Sequence, residues 1–158
     1  MTAEGNEIVL RPARAEDFEF WRHLHREAFR TYVEQTWGRW DEAEQLERLQ
    51  KEFDPMPGQI VLLAGAPIGF FWLTDHDTYL FLESIAILPE YQNRGLGTRL
   101  IQQLLAKADA KAIPVQLSVL KVNPARTLYE RLGFRLVGED EQRWYMERAA
   151  RGSPDRLS

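Results

Sequence analysis

Glu83-Ser84-Ile85-Ala86-Ile87-Leu88-Pro89-Glu90-Tyr91-Gln92-Asn93-Arg94-Gly95-Leu96-Gly97-Thr98-Arg99-Leu100 is the stretch on which the fold turns. Leu80, Leu82, Ile85, Ile87 and Leu88, around a lone Glu83, read as a buried strand from Tyr79 to Leu88. Pro89 breaks it. Leu96, Leu100, Ile101, Leu104 and Leu105 then recur at helical spacing, and the helix they predict runs to about Ala110. Gly95 and Gly97 sit at the junction, where missing side chains let a ligand approach the backbone. The free amides and dipole of a helix start favour an anion there, such as a phosphate or pyrophosphate. A P-loop would end in Gly-Lys-Ser/Thr, which Gly97-Thr98-Arg99 does not supply. A dinucleotide fingerprint would place a third glycine where Leu100 stands.

Working outward, the chain of 158 residues fits one domain, with a core spanning about 8–148 and a frayed tail over 150–158. With no cysteine, it has neither a disulfide framework nor a thiolate site. Met1 to Glu7 is polar, without the apolar run of a signal peptide, and no segment reaches membrane-spanning length. A cytoplasmic protein is expected. The net charge of −4 speaks against nucleic acid as a partner.

Ile8 to Arg11 reads as a first strand stopped at Pro12, and Ala15-Glu16-Asp17 opens a helix with acidic residues in its first turn. Phe18, Trp21, Leu24, Ala28 and Tyr32 give that helix one apolar stripe, ending near Trp37-Gly38. A second helix is expected from Asp41 to Phe53, followed by a breaker, Asp54-Pro55-Met56-Pro57-Gly58. Ile60 to Ala64 and Ile68 to Leu73 read as a hairpin joined by Gly65-Ala66-Pro67. Val115 to Val119 alternates and, following a helix, should lie parallel to the central strand. A short helix from Asn123 to Leu132 comes next, capped by Gly133. Phe134 to Val137 and Arg143 to Met146 close the sheet around a Gly138-Glu139-Asp140 turn.

Gln92-x-x-Gly95-x-Gly97 after a strand resembles the acyl-CoA pyrophosphate loop of the GNAT superfamily of N-acetyltransferases. Asn123-Pro124-Ala125-Arg126-Thr127-Leu128-Tyr129, leading into Gly133-Phe134, resembles the second motif of the same superfamily. Both stand in the right order on a strand–helix–strand–helix frame. The resemblance implies a mixed α/β fold, a twisted sheet flanked by helices that splays beside the central strand, and acetyl-CoA as co-substrate. It implies that Ile85, Ala86 and Ile87 line the pantetheine arm, and that the pyrophosphate meets Gln92, Asn93, Arg94, Gly95, Leu96, Gly97, Thr98 and Arg99. Asn123, Ala125 and Arg126 are expected to complete the cofactor site.

The activity implied is acetyl transfer to a primary amine of a small molecule, protein or peptide, by direct attack in a ternary complex. A non-catalytic acyl-CoA-binding sensor or interaction module is the alternative. Tyr129 matches the usual general acid. With ordinary pKa values of ~10 for a phenol and ~8.5 for a thiol, full proton transfer from it is uphill by about 2 kcal/mol. Glu83 reads as a base whose pKa burial would raise, or equally as a structural carboxylate. Tyr32, Glu34 and Trp37, at an aromatic helix–loop–helix corner with Trp40, are expected against the acceptor. His23 and His25, two apart on a helix, face different ways, and no metal site is expected. Edge strands and the C-terminal hairpin leave room for a homodimer.

Overall fold

The structure is a computed structural model that describes residues 7–53 and 58–151. The polar start at 1–6, the proline-rich break at 54–57 and the tail at 152–158 lie outside the described residues. Seven strands and four α-helices are described: β1 (Ile8–Pro12), α1 (Phe18–Trp37), α2 (Glu42–Phe53), β2 (Gln59–Leu63), β3 (Ala66–Asp75), β4 (Leu80–Ile87), α3 (Leu96–Lys111), β5 (Val115–Leu120), α4 (Ala125–Arg131), β6 (Arg135–Glu139) and β7 (Arg143–Arg148). The strands form one mixed sheet in the order β1-β2-β3-β4-β5-β7-β6. β4 and β5 pair in parallel, Leu80 to Leu82 against Val115 to Leu117, as the helical crossover between them leads one to expect. The described residues divide into two compact units, one made of 7–53, 58–72 and Ser84–Leu96, the other of Leu73–Glu83 and 97–151.

In the first unit, Trp21, Leu24 and Leu49 from the two helices pack with Ile60, Phe70, Ala86 and Leu88 from the strands. The i, i+3 spacing of Trp21 and Leu24 puts both on the stripe of α1 that faces this core. The acidic start of α1 does more than meet a helix dipole. Ala15–Asp17 is a 3₁₀ turn, and the buried Asp17 accepts two hydrogen bonds from Arg11, at 2.8 and 3.0 Å, and one from the Arg14 amide. Gly38 ends α1 in the left-handed region at φ 87°, and the Asp41 side chain caps α2 through the Glu44 amide at 3.0 Å.

The β2–β3 hairpin differs from the expected one. Its turn is Ala64-Gly65, both left-handed at φ 51° and 83°, and Ala66 and Pro67 belong to β3. A two-residue turn with both φ positive matches strand twist better than the longer loop. Pro67 lacks an N–H for the ladder, and the register shifts beside it: Val61 faces Gly69 and Leu62 faces Pro67. Gly69 is required by sterics, since a Cβ there would stand 2.5 Å from the Ala86 carbonyl oxygen.

In the second unit, alternate residues of β5 (Val115, Leu117 and Val119) are buried, as are Leu100, Ile101 and Leu104 of α3. The second helix motif is shorter than expected, with α4 covering Ala125–Arg131 and Gly133 at φ 99° following it. The last hairpin turns later than expected. β6 continues through Gly138 to Glu139 with a register shift between Leu136 and Gly138, and Asp140 accepts the amides of Gln142 and Arg143 at 2.9 and 2.7 Å. A side chain that caps two amides makes a better turn than the glycine before it.

Candidate functional site

The turn after β4 is built from local bonds. The Leu88 amide donates to the Ile68 carbonyl at 2.8 Å, Pro89–Tyr91 forms a 3₁₀ turn, and the Gln92 side-chain amide donates to the Ile87 carbonyl at 2.9 Å. Gln92 is therefore the clasp between strand and turn, a role invisible in its spacing. Asn93 and Gly95 are left-handed at φ 64° and 80°, on either side of Arg94. Such alternation turns successive N–H groups towards one side, as in anion-binding concavities. Leu96 then opens α3, whose first amides have no partner within the helix. Arg94 lies over the Tyr91 ring at 5.1 Å and donates to the Glu90 carbonyl, and Arg99 is exposed one turn into α3.

The two glycines test whether this turn suits a phosphate. Gly95 is demanded by its φ. Gly97 has no such reason, and a Cβ there would meet only the Leu128 side chain at an ordinary 3.9 Å. The chain's own packing would tolerate a side chain at 97. The residues present fit a diphosphate lying against the amides.

Leu128 belongs to α4, the helix of the second motif. Asn123 precedes it and accepts the Ala125 amide at 2.9 Å, so its side-chain oxygen shapes the entry to α4. Arg126 pairs with Glu130 at 3.1 Å and lies with Lys121 against the Trp144 ring, at 4.4 and 4.5 Å. Tyr129 is buried edge-on to Phe134 and has no hydrogen-bond partner among the described residues. Burial pushes its phenol up to about 12.

Glu83 departs from the reading of its strand. It is exposed, not buried beside a cleft. Its carboxylate instead accepts the Thr74 hydroxyl at 2.8 Å, and the same hydroxyl lies 3.1 Å from Nε2 of His76, whose ring stacks on Tyr79. Phe81, Glu83 and Ile85 alternate with the buried Leu80 and Leu82, so a single charged residue among apolar ones marked the open face of β4. Thr74 was missed because it lies nine residues away on the neighbouring strand.

At the aromatic corner, Trp37 is 51% exposed at the end of α1. Glu34 pairs with Arg30 one turn earlier at 3.2 Å, and Tyr32 is half-buried. Trp40 turns inward to His25 and donates to Glu42 at 3.0 Å. Among the described residues, no group of three or more His, Asp or Glu side chains could hold a metal ion, and no helix is long and apolar enough to cross a membrane.

A model of the acetyltransferase (GNAT) family matches residues 18–134, which span both motifs. The chain belongs to the GNAT family. No curated protein matches this GNAT chain. Solved structures match its fold. The PaiA N-acetyltransferase of Thermoplasma acidophilum, solved with coenzyme A, is 19% identical at a TM-score of 0.73, over 90% of this chain and 99% of that one. The ribosomal-protein-S18-alanine N-acetyltransferase of Escherichia coli is 19% identical at 0.67, over 96% and 99%. Naa50 of Arabidopsis thaliana, solved with the bisubstrate analogue CoA-Ac-MVNAL, is 13% identical at 0.62, over 90% and 98%. At these identities the likeness is one of fold, and the mixed α/β sheet of this GNAT chain is the one they share.

Proposed function

We propose that this protein transfers the acetyl group of acetyl-CoA to a primary amine of a small molecule, a protein or a peptide, by direct attack within a ternary complex. The observation that carries the reading is Gly97, a residue with neither a backbone nor a packing reason to lack a side chain. A ligand pressed against the start of α3 supplies the reason. The amides of Gln92 to Thr98 would hold the pyrophosphate, with Arg94 and Arg99 adding charge, and backbone groups of Ile85 to Ile87 would align the pantetheine arm. Asn123, Ala125 and Arg126 would hold the rest of the coenzyme.

Acetyl-CoA supplies an activated thioester acetyl group. The chain's residues must neutralise the amine, meet the developing oxyanion and hydrogen-bond the departing sulfur. We assign the oxyanion to the Ile87 amide or its neighbour, and the sulfur to Tyr129. With a phenol at about 12 against a thiol near ~8.5, complete proton transfer from Tyr129 is uphill by about 5 kcal/mol. Tyr129 therefore acts by donating a hydrogen bond, and the thiolate leaves with its charge dispersed. Glu83, on the open face of β4, receives the amine proton as the C–N bond forms and the C–S bond breaks. Trp37, Tyr32 and Glu34 flank the acceptor.

Calorimetric titration with acetyl-CoA, beside thiol release against a panel of amines and N-terminal peptides, tests the reading. Saturable binding, with thiol release on some amines that Tyr129→Phe weakens, is the result expected. Binding without release on any of the amines would favour a sensor, and no binding would overturn the assignment of the turn. Because the acetyltransferases of E. coli ribosomal protein S18 and Naa50 act on or bind peptide chains, peptides with free N-termini belong in the panel.

A further inference from the structure

The second unit carries a surface cavity of about 400 Å³ formed by α3 from Gln102 to Asp109, the end of α4 with Leu132 and Gly133, and the end of β7 with Arg151 beyond it. Its charged lining is Asp109 and three arginines, Arg131, Arg148 and Arg151. Three guanidiniums against one carboxylate leave a surplus of positive charge on a chain whose net charge is −4. The carboxylate is already taken. Arg148, its side chain 6% exposed, donates to Asp109 through both terminal nitrogens, and its Nε is buried without an acceptor. Arg131 and Arg151 have no carboxylate partner among the described residues. Gly133 lies between them in the chain, and a Cβ there would come within 3.3 Å of an Arg151 terminal nitrogen. Its φ of 99° and its missing side chain together leave that guanidinium its place.

Clustered like charges are held together at a cost unless an anion joins them. Arginine forks suit oxyanions, and a phosphate monoester carries about −1.5 to −2 at neutral pH, enough to match this surplus. We propose that the cavity binds a small phosphate-bearing molecule. Arg131 and Arg151 grip the phosphate with the surplus charge, and Arg148, held by Asp109, forms the wall behind them. The site is separate from the turn at 92–98. Along α3 its lining begins at Gln102, about 6 Å beyond Thr98, and reaches Asp109, about 16 Å beyond it, at 1.5 Å per residue. The proposal does not depend on acetyl transfer.

Inorganic phosphate is the probe, titrated into the ¹⁵N-labelled protein while the arginine Nε–H resonances are followed, with assignments from Arg131→Gln and Arg151→Gln. The resonances of Arg131, Arg148 and Arg151 should shift together and saturate. Either single variant should raise the Kd several-fold and the double variant at least tenfold, with Tm held as the check on folding. The shifts should persist in saturating coenzyme A. Absence of a saturable shift, or an unchanged Kd in the folded double variant, overturns the site. Loss of the shifts when coenzyme A is added would make it part of the coenzyme site and overturn its independence. Citrate binding tighter than phosphate would overturn the ligand class.

Discussion

At the scale of single residues, Tyr129 and Glu83 stand in opposite environments, and only that of Glu83 departs from its sequence reading. The tyrosine is the buried group and the carboxylate the exposed one. A phenol raised to about 12 stays protonated through the range in which assays run. The rate should therefore show no alkaline decline from Tyr129 below about pH 11, and a profile falling near pH 9 with its own tyrosine signature would disprove that. Tyr129→Phe should lower kcat by ~10²-fold or more, within the range of acid–base groups, while acetyl-CoA affinity changes little. Glu83→Gln separates base from scaffold. A drop of ~10-fold or more in kcat at unchanged Tm fits the base, whereas loss of Tm with activity retained fits a structural carboxylate tied to Thr74.

At the scale of elements, the strand–turn–helix from β4 into α3 is held by Gln92 and shaped by Gly95, while Gly97 answers to no internal contact. The two glycines should accordingly fail in different ways. Gly95→Ala forces a side chain into a left-handed residue and should cost about 1–2 kcal/mol of stability. Gly97→Val should leave stability within about 1 kcal/mol, yet weaken acetyl-CoA at least tenfold. Denaturant melts and calorimetry on the same two variants decide it; a destabilised Gly97→Val with normal affinity would contradict the ligand argument. The start of α1 offers a parallel case. The Arg11 guanidinium, then the Arg14 amide, hold the buried Asp17 carboxyl below the usual range against the cost of its burial. Asp17→Ala should destabilise the fold by roughly 2–3 kcal/mol, because buried donors lose a charged acceptor.

At the scale of the whole molecule, His25 links stability to pH. Its ring lies among Trp21, Phe29 and Trp40, its Nδ1 is buried without a partner, and burial, helped by Arg48, lowers its pKa to about 4. The folded protein keeps this histidine neutral while the unfolded chain takes up a proton below about pH 6.5. The stabilising contribution is present above pH 6.5 and is lost as the pH falls towards 4, a difference on the order of 3 kcal/mol. Unfolding free energies measured between pH 7 and 4 should slope accordingly, and His25→Phe should flatten that slope if its ring fills the same aromatic niche.

Much of this was legible in order along the chain. Apolar periodicity marked α1, α3, β4 and β5, and two short motifs named the family, because strands, helices and phosphate turns are specified by neighbours a few residues apart. The hairpins were misplaced by one or two residues, since turn position depends on which side chain caps which amide, and on where Pro67 can sit in a ladder. The environments of Glu83, Asp17, His25 and the three arginines were not legible at all. Burial and partnership arise between residues such as Thr74 and Glu83, or Asp109 and Arg148, which are distant in sequence. The linear chain determined what chemistry it carries and in what order. The tertiary structure alone decided which groups lose water, and desolvation is what sets their charge.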